Sequence, residues 1–302
     1  MIATVRTTFR FATGLAGALV LAAGLGAAPA HAQAQGTCTH DLTLESDPAL
    51  REVAAREVKW VRPGATNSGS ERVSLQLLGI NDFHGQLSAG RRVANRPVGS
   101  AGVLASYLKA ETEAFDGTTL IVHAGDHVGA SPPASALLQD EPSISFLNLL
   151  ANDACRIEYR TALLPGRSGH LHPDCNMVGT FGNHEFDEGF AEAVRLLEGG
   201  DHPNGPFLEN PWGGALYPTI SSNVLSEATG QPVLPPFVVK NVDGVPVAFI
   251  GAVLEATPTI VTPTGVEGLK FLDEADAING YVRQLKRLGI RAIVVLIHEG
   301  GV

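Results

Sequence analysis

The chain has 302 residues, 44% of them hydrophobic and 17% charged, with a formal net charge of −10. That balance supplies a sizeable core and argues against global disorder. The acidic sign argues against polyanion binding through a basic surface, so phosphate chemistry would need local cations such as bound metal ions.

Arg6 and Arg10 precede a small, apolar run over 11–28, and Ala30-His31-Ala32 has the A-x-A form of a cleavage site. A secretory leader is predicted over residues 1–32, and with it a periplasmic or extracellular protein. The run is short and Gly/Ala-rich, and no other stretch suits a bilayer span, so no stable membrane anchor is expected. Residues 33–71 read as an extension and linker, with DPALREVAAREVKWV as a short helix and PGATNSGS as a joint.

From residue 72 to 302 the order is regular. VSLQLLGI (73–80) reads as a strand ending in NDFHG, and 101–115 has helical spacing. TLIVHAGDH (119–127) is a strand into a Gly-Asp turn, 143–153 a helix, and NMVGTFGNH (176–184) a strand into a turn. Phe190, Val194 and Leu197 mark another helix. YPTISSNV, PFVVKNV and VPVAFIGAV read as strands, DEADAINGYVRQLKRLGI as a helix and RAIVVLI (291–297) as a buried strand. Such alternation predicts an α/β domain. There is no internal repeat, and no G-x-x-x-x-G-K-[ST] loop of a P-loop protein.

Three cysteines are present. In an oxidising compartment Cys155 and Cys175, which bracket a polar stretch, are expected to pair and leave Cys38 over. Closing a loop of that size stabilises by about 3 kcal/mol. The rival, a metal site from Cys155, His170, His172 and Cys175, fits no zinc spacing.

The strand ends carry the chemistry. They are Asn81-Asp82-Phe83-His84, Gly125-Asp126-His127, Gly182-Asn183-His184-Glu185, and His298 after RAIVVLI. In open α/β sheets ligands sit at the carboxyl ends of strands, so these ends can converge on one crevice. Mixed carboxylate, amide oxygen and imidazole ligands suit Zn, Mn or similar divalent ions. Asp82 and His84, two apart in extended chain, would leave the same face and grip one ion, and Asp126 can bridge two. Taken singly, each residue is better explained as a turn former, cap or structural histidine. Together they repeat one design.

NDFHG, GD and GNHEFDEG, in this order, resemble the calcineurin-like metallophosphoesterases, and GNHEFDEG with NDFHGQL is similar to the exported 5′-nucleotidase branch. The resemblance covers about residues 73–302. It implies a four-layer α/β/β/α sandwich with a dinuclear divalent-metal site. It places Asp82 and His84 on one ion, Asp126 between both, and Asn183 and His298 on the second. It assigns His184 and Asp187 to a catalytic pair, while Glu185 and Phe186 read as packing and as support behind the ligands. Asp187 also reads as the N-cap of the helix holding Phe190. His123 reads as structural, and His127 and Asn223 as residues lining the site. The family's Gly-His-x-His motif and its C-terminal nucleoside-binding domain have no counterpart here, so a partial domain with an unpaired sheet edge is expected.

The resemblance implies a 5′-nucleotidase acting on a small-molecule phosphoester, not on a nucleic-acid polymer. A 2′,3′-cyclic-nucleotide phosphodiesterase, a UDP-sugar hydrolase or a thiosulfate-handling relative would use the same chemistry. The alternative outside enzymology is a secreted, non-catalytic remnant.

Overall fold

The computed structural model describes residues 2–9, 18–22, 73–156, 159–160, 168–169 and 172–299. The helix expected near 47–61, Cys38 and His170 lie outside the described residues.

Among the described residues, nine strands build the two main sheets. They are β1 (Ile2–Phe9), β2 (Ala18–Ala22), β3 (Val73–Ile80), β4 (Thr118–His123), β5 (Met177–Thr180), β6 (Thr219–Ile220), β7 (Phe237–Val242), β8 (Val245–Val253) and β9 (Ala292–His298). The first sheet runs β1-β3-β4-β5-β6, and the second β7-β8-β9-β2. Strands β3 to β6 are parallel. Helices α1 (Ala101–Glu113), α2 (Glu141–Leu150) and α3 (Phe190–Glu198) lie between them in sequence, and α4 (Glu274–Arg287) joins β8 to the parallel β9.

Alternation along β3 shows how the layers form. Leu75 and Leu77 face the second sheet, packing in one core with Val238, Val247, Phe249, Val294 and Leu296. Leu78 and Ile80 face the other way, onto Leu108 of α1 and Ile144 and Leu147 of α2. Beyond the second sheet, Val239, Ala248, Ile250 and Ile293 pack on Tyr281 and Leu285 of α4. The result is the expected α/β/β/α sandwich, with strands buried on both faces and therefore largely apolar.

Three details differ from the sequence reading or sharpen it. The stretch read as one strand, YPTISSNV, is broken at Ser221-Ser222, because the Ser222 N–H and hydroxyl both donate to the Gly251 carbonyl (2.7 and 2.6 Å). Its last residue, Val224, opens a separate strand, Val224–Ser226, that pairs with Leu269–Phe271. An unpaired sheet edge was expected; instead β9 is flanked in parallel by β2, and β1 lies antiparallel on β3, so residues 2–9 and 18–22 supply one edge strand of each sheet. Cys155 and Cys175 form the expected disulfide, and both are fully buried.

Candidate metal centre

The carboxyl ends of β3, β4, β5 and β9 meet at one place because their turns lock together. The Asp82 and His84 N–H groups donate to the Gly125 and Asp126 carbonyls (3.2 and 3.1 Å). Gly125 has φ +87°, and a Cβ there would stand 2.1 Å from the Gly182 nitrogen, so the two strand-end turns touch backbone to backbone. Only glycine tolerates both demands.

Asp82, His84 and Asp126 have φ of 51°, 45° and 55°, the left-handed region. Three non-glycine residues held there at one site mark backbone fixed by its surroundings for function. This corrects the extended Asp82–His84 segment expected from the sequence. The chain coils through αL at both positions, since their amides bond the β4 turn.

Asp126 sits at the centre and is 3% exposed. Its Oδ1 accepts the His184 backbone N–H at 2.9 Å. Its Oδ2 lies 3.3 Å from His298 Nε2 and 3.8 Å from His84 Nε2. Both imidazoles are turned by their other nitrogen: Nδ1–H of His84 donates to the Gly129 carbonyl (2.9 Å) and Nδ1–H of His298 to the Ala124 carbonyl (2.6 Å). That arrangement fixes the tautomer and presents Nε2 to an ion. Asn183 Oδ1 is 3.2 Å from His298 Nε2.

The potential ligand atoms fall into two groups that share Asp126. One is His84, Asp126 and His184, and the other Asp82, Asp126 and His298, the atoms of each lying within 4.8 Å of one another. Five of the seven residues singled out from the sequence are in these groups, and Asn183 touches the second through His298. The donor set of carboxylate and imidazole, with Nε2 atoms oriented by carbonyls, fits two divalent ions.

His184 Nδ1 is 2.7 Å from Asp187 Oδ2, and the His84 and His184 rings meet edge to face at 4.9 Å. Burial works to lower the His184 pKa, but the Asp187 hydrogen bond and the Asp126 charge leave it raised. The N-cap role for Asp187 is corrected: α3 begins at Phe190 with Gly189 as its N-cap, and the Asp187 carboxylate is turned to His184.

Glu185, read from the sequence as packing and as support behind the ligands, takes the supporting role. Its half-buried carboxylate accepts the N–H groups of Asp126 (3.0 Å), His127 (2.9 Å) and Gly182 (2.5 Å). It therefore ties the β4 turn to the β5 turn. Burial and the neighbouring Asp126 charge push its pKa up to about 7. Its place in GNHE was the available signal, but spacing alone says nothing of backbone partners. Asn223 is not at the centre: its side chain bonds Val253 N and O and Leu272 O. His127 is 1% exposed and packs edge to face on the His123 ring.

No family model matches the chain. It is 38% identical over 235 residues to the endonuclease YhcR of Bacillus subtilis, an alignment spanning 76% of this chain and 17% of that protein. It is 24% identical over 227 residues to the 5′-nucleotidase of Vibrio cholerae, spanning 75% and 34% respectively. The NAD nucleotidase NadN of Haemophilus influenzae shares the fold, with a TM-score of 0.51 and 21% identity over 74% of this chain and 34% of that one. The chain belongs to the calcineurin-like metallophosphoesterases. Within that family it is similar to the 5′-nucleotidases, and it spans about a third or less of the length of these relatives. Among the described residues, no helix of this metallophosphoesterase domain is long and apolar enough to cross a membrane.

Proposed function

We propose that the chain is the metal-binding domain of an exported phosphoester hydrolase with 5′-nucleotidase activity. The observation that carries this reading is the pair of ligand groups sharing one oxygen-bearing residue, Asp126, beside the His184–Asp187 pair. The A-x-A leader signature supports export.

Two divalent ions, when bound, would supply Lewis-acid polarisation of a water and of the phosphoryl oxygens. Asp82, His84, Asp126, Asn183 and His298 would hold them. Asp126 can hold both because Oδ1 is fixed by the His184 N–H while Oδ2 faces the two Nε2 atoms. His184 would neutralise charge on the phosphoryl group or protonate the leaving oxygen from Nε2. Asp187 keeps the proton on Nδ1 and raises the ring's basicity. A nucleoside monophosphate is the substrate best supported by the Vibrio relative, with cyclic-nucleotide and UDP-sugar hydrolysis as variants of the same reaction.

The test is phosphate release from nucleotides by the metal-loaded chain and by His184→Ala, with metal content measured on both. A proton-transfer role predicts two ions retained and turnover lower by about 10²–10⁴-fold. One ion lost would make His184 a ligand instead, and no phosphate release by the metal-loaded parent would refute the reading.

A further inference from the structure

Asp140 carries two costs that packing does not explain. It is 9% exposed, and its Oδ1 is buried with no polar partner among the described residues. Its φ is 55°, the left-handed region where glycine would sit without strain. A buried, half-satisfied carboxylate on strained backbone marks a position kept for more than packing.

The other carboxylate oxygen leads to the metal centre. Asp140 Oδ2 accepts the Gly129 N–H at 2.9 Å, and the Gly129 carbonyl accepts Nδ1–H of His84 at 2.9 Å. The Ser131 hydroxyl donates to the same carbonyl at 3.2 Å. Gly129 has φ +71°, and as a glycine it has other backbone conformations open to it unless it is tied. A cavity of about 100 Å³, lined by Gly129, Ser131, Gln139 and Asp140 among others, leaves it room to move. Its Cα also lies against the His184–Asp187 pair: a Cβ there would stand 2.7 Å from Asp187 Oδ2 and 2.9 Å from His184 Cβ. Asp140 is itself well anchored, directly before α2. Its carbonyl accepts the Ser143 N–H at 3.0 Å, and the Ser143 hydroxyl donates to the His127 carbonyl at 2.6 Å. Glu141, 1% exposed, pairs with Arg195 of α3 at 2.7 Å. The first turn of α2 thus grips residues 127–129 at two points, and α3 holds that turn.

We propose that Asp140 is a positioning residue of the metal centre: it fixes Gly129, whose carbonyl keeps the His84 proton on Nδ1 and leaves Nε2 for an ion. The proposal rests on the reading of His84 as a metal ligand and deepens it. A carboxylate suits the task because a hydrogen bond to an ionised acceptor is the stronger kind. Without that bond Gly129 can turn its carbonyl away, and the His84 proton can move to Nε2, the atom an ion needs. Partners that orient a ligating histidine from behind govern metal affinity in this way.

The test compares the full chain with two variants. Asp140→Gly removes the carboxylate and relieves the left-handed backbone. Asp140→Asn tolerates that backbone, keeps an oxygen for the Gly129 N–H and puts its NH₂ where Oδ1 already lacks a partner. In chelator at pH 8.5, ¹⁵N spectra of the imidazoles should show His84 protonated on Nδ1 in the parent and a mixture of tautomers in Asp140→Gly. Chelator competition with Mn or Zn should show one of the two ions bound about 10–100-fold more weakly in Asp140→Gly, and the other little changed. Asp140→Asn should recover most of that loss. An unchanged tautomer and affinity in Asp140→Gly, equal weakening of both ions, or a loss that Asp140→Asn leaves in place would overturn the proposal. Should neither variant fold, the parent decides: its Gly129 amide proton should resonate far downfield and exchange slowly, and an ordinary shift overturns the proposal. His84→Ala tests the underlying reading separately. Both ions bound at parental affinity would remove His84 from the metal centre while leaving the tautomer control by Asp140 in place.

Discussion

At the residue scale, Asp126 does three things at once. Its backbone N–H is held by Glu185, its Oδ1 by His184, and its Oδ2 faces both free imidazole nitrogens. Asp126→Ala should take metal content from two ions per chain to none by elemental analysis. Glu185→Gln puts an amide NH₂ against one of three backbone donors and strands it. A buried donor left unpaired costs about 1–3 kcal/mol, so this variant should lower both thermal stability and metal affinity, read by calorimetry and competition with a chelator. The residue types of the centre were legible in the sequence because Asp, His and Asn recur at successive strand ends. The particular partners of Glu185 were not, since they are backbone amides that only the fold brings within reach. Nor were the left-handed conformations of Asp82, His84 and Asp126, which arise from hydrogen bonds between turns distant in sequence.

At the scale of elements, strands and helices were legible because their periods are clean. VSLQLLGI became β3 over Val73–Ile80, and the RAIVVLI run became β9 over Ala292–His298. What periodicity could not show is how closely β4 and β5 approach. His123 ends β4 opposite Gly179 of β5, and a Cβ on Gly179 would stand 1.7 Å from His123 Nε2. The ring is 3% exposed, burial pushes its pKa down to about 3, and neither ring nitrogen has a polar partner among the described residues. It is a neutral imidazole filling the space that a glycine leaves. Gly179→Ala should therefore destabilise by about 1–3 kcal/mol, as overpacking does. His123→Ala in the same chain should return part of that loss, since the clash and the cavity compensate. Additive losses in denaturant melts would show that the two positions are not coupled.

At the scale of the whole molecule, the fold class followed from alternating strands and helices, but the edges did not. Edge strands β1 and β2 come from residues read as a leader, where an unpaired sheet edge had been expected. A chain starting at Gln33 should expose the edges of β3 and β9 and self-associate more than the full chain in light scattering. The disulfide joins Cys155 to Cys175 in the core beside the first sheet. Replacing both cysteines by serine should cost about 3 kcal/mol in the chain-entropy account. The most consequential global feature is that His298 alone among the proposed ligands comes from the second sheet. Bound ions would therefore act as a rivet between the two layers, and melting temperature should climb with free metal by mass action, about 2.7 kcal/mol at a hundredfold excess over Kd. Without ions a proton takes their place. Burial alone would lower the His298 pKa, but the Asp126 carboxylate raises it to about 9. A raised pKa stabilises below the ordinary histidine value, and that contribution fades as pH climbs through 9. The gap in melting temperature between metal-loaded and chelated protein should accordingly widen from pH 6.5 to 9, as the proton releases its hold and only the metal still joins the layers.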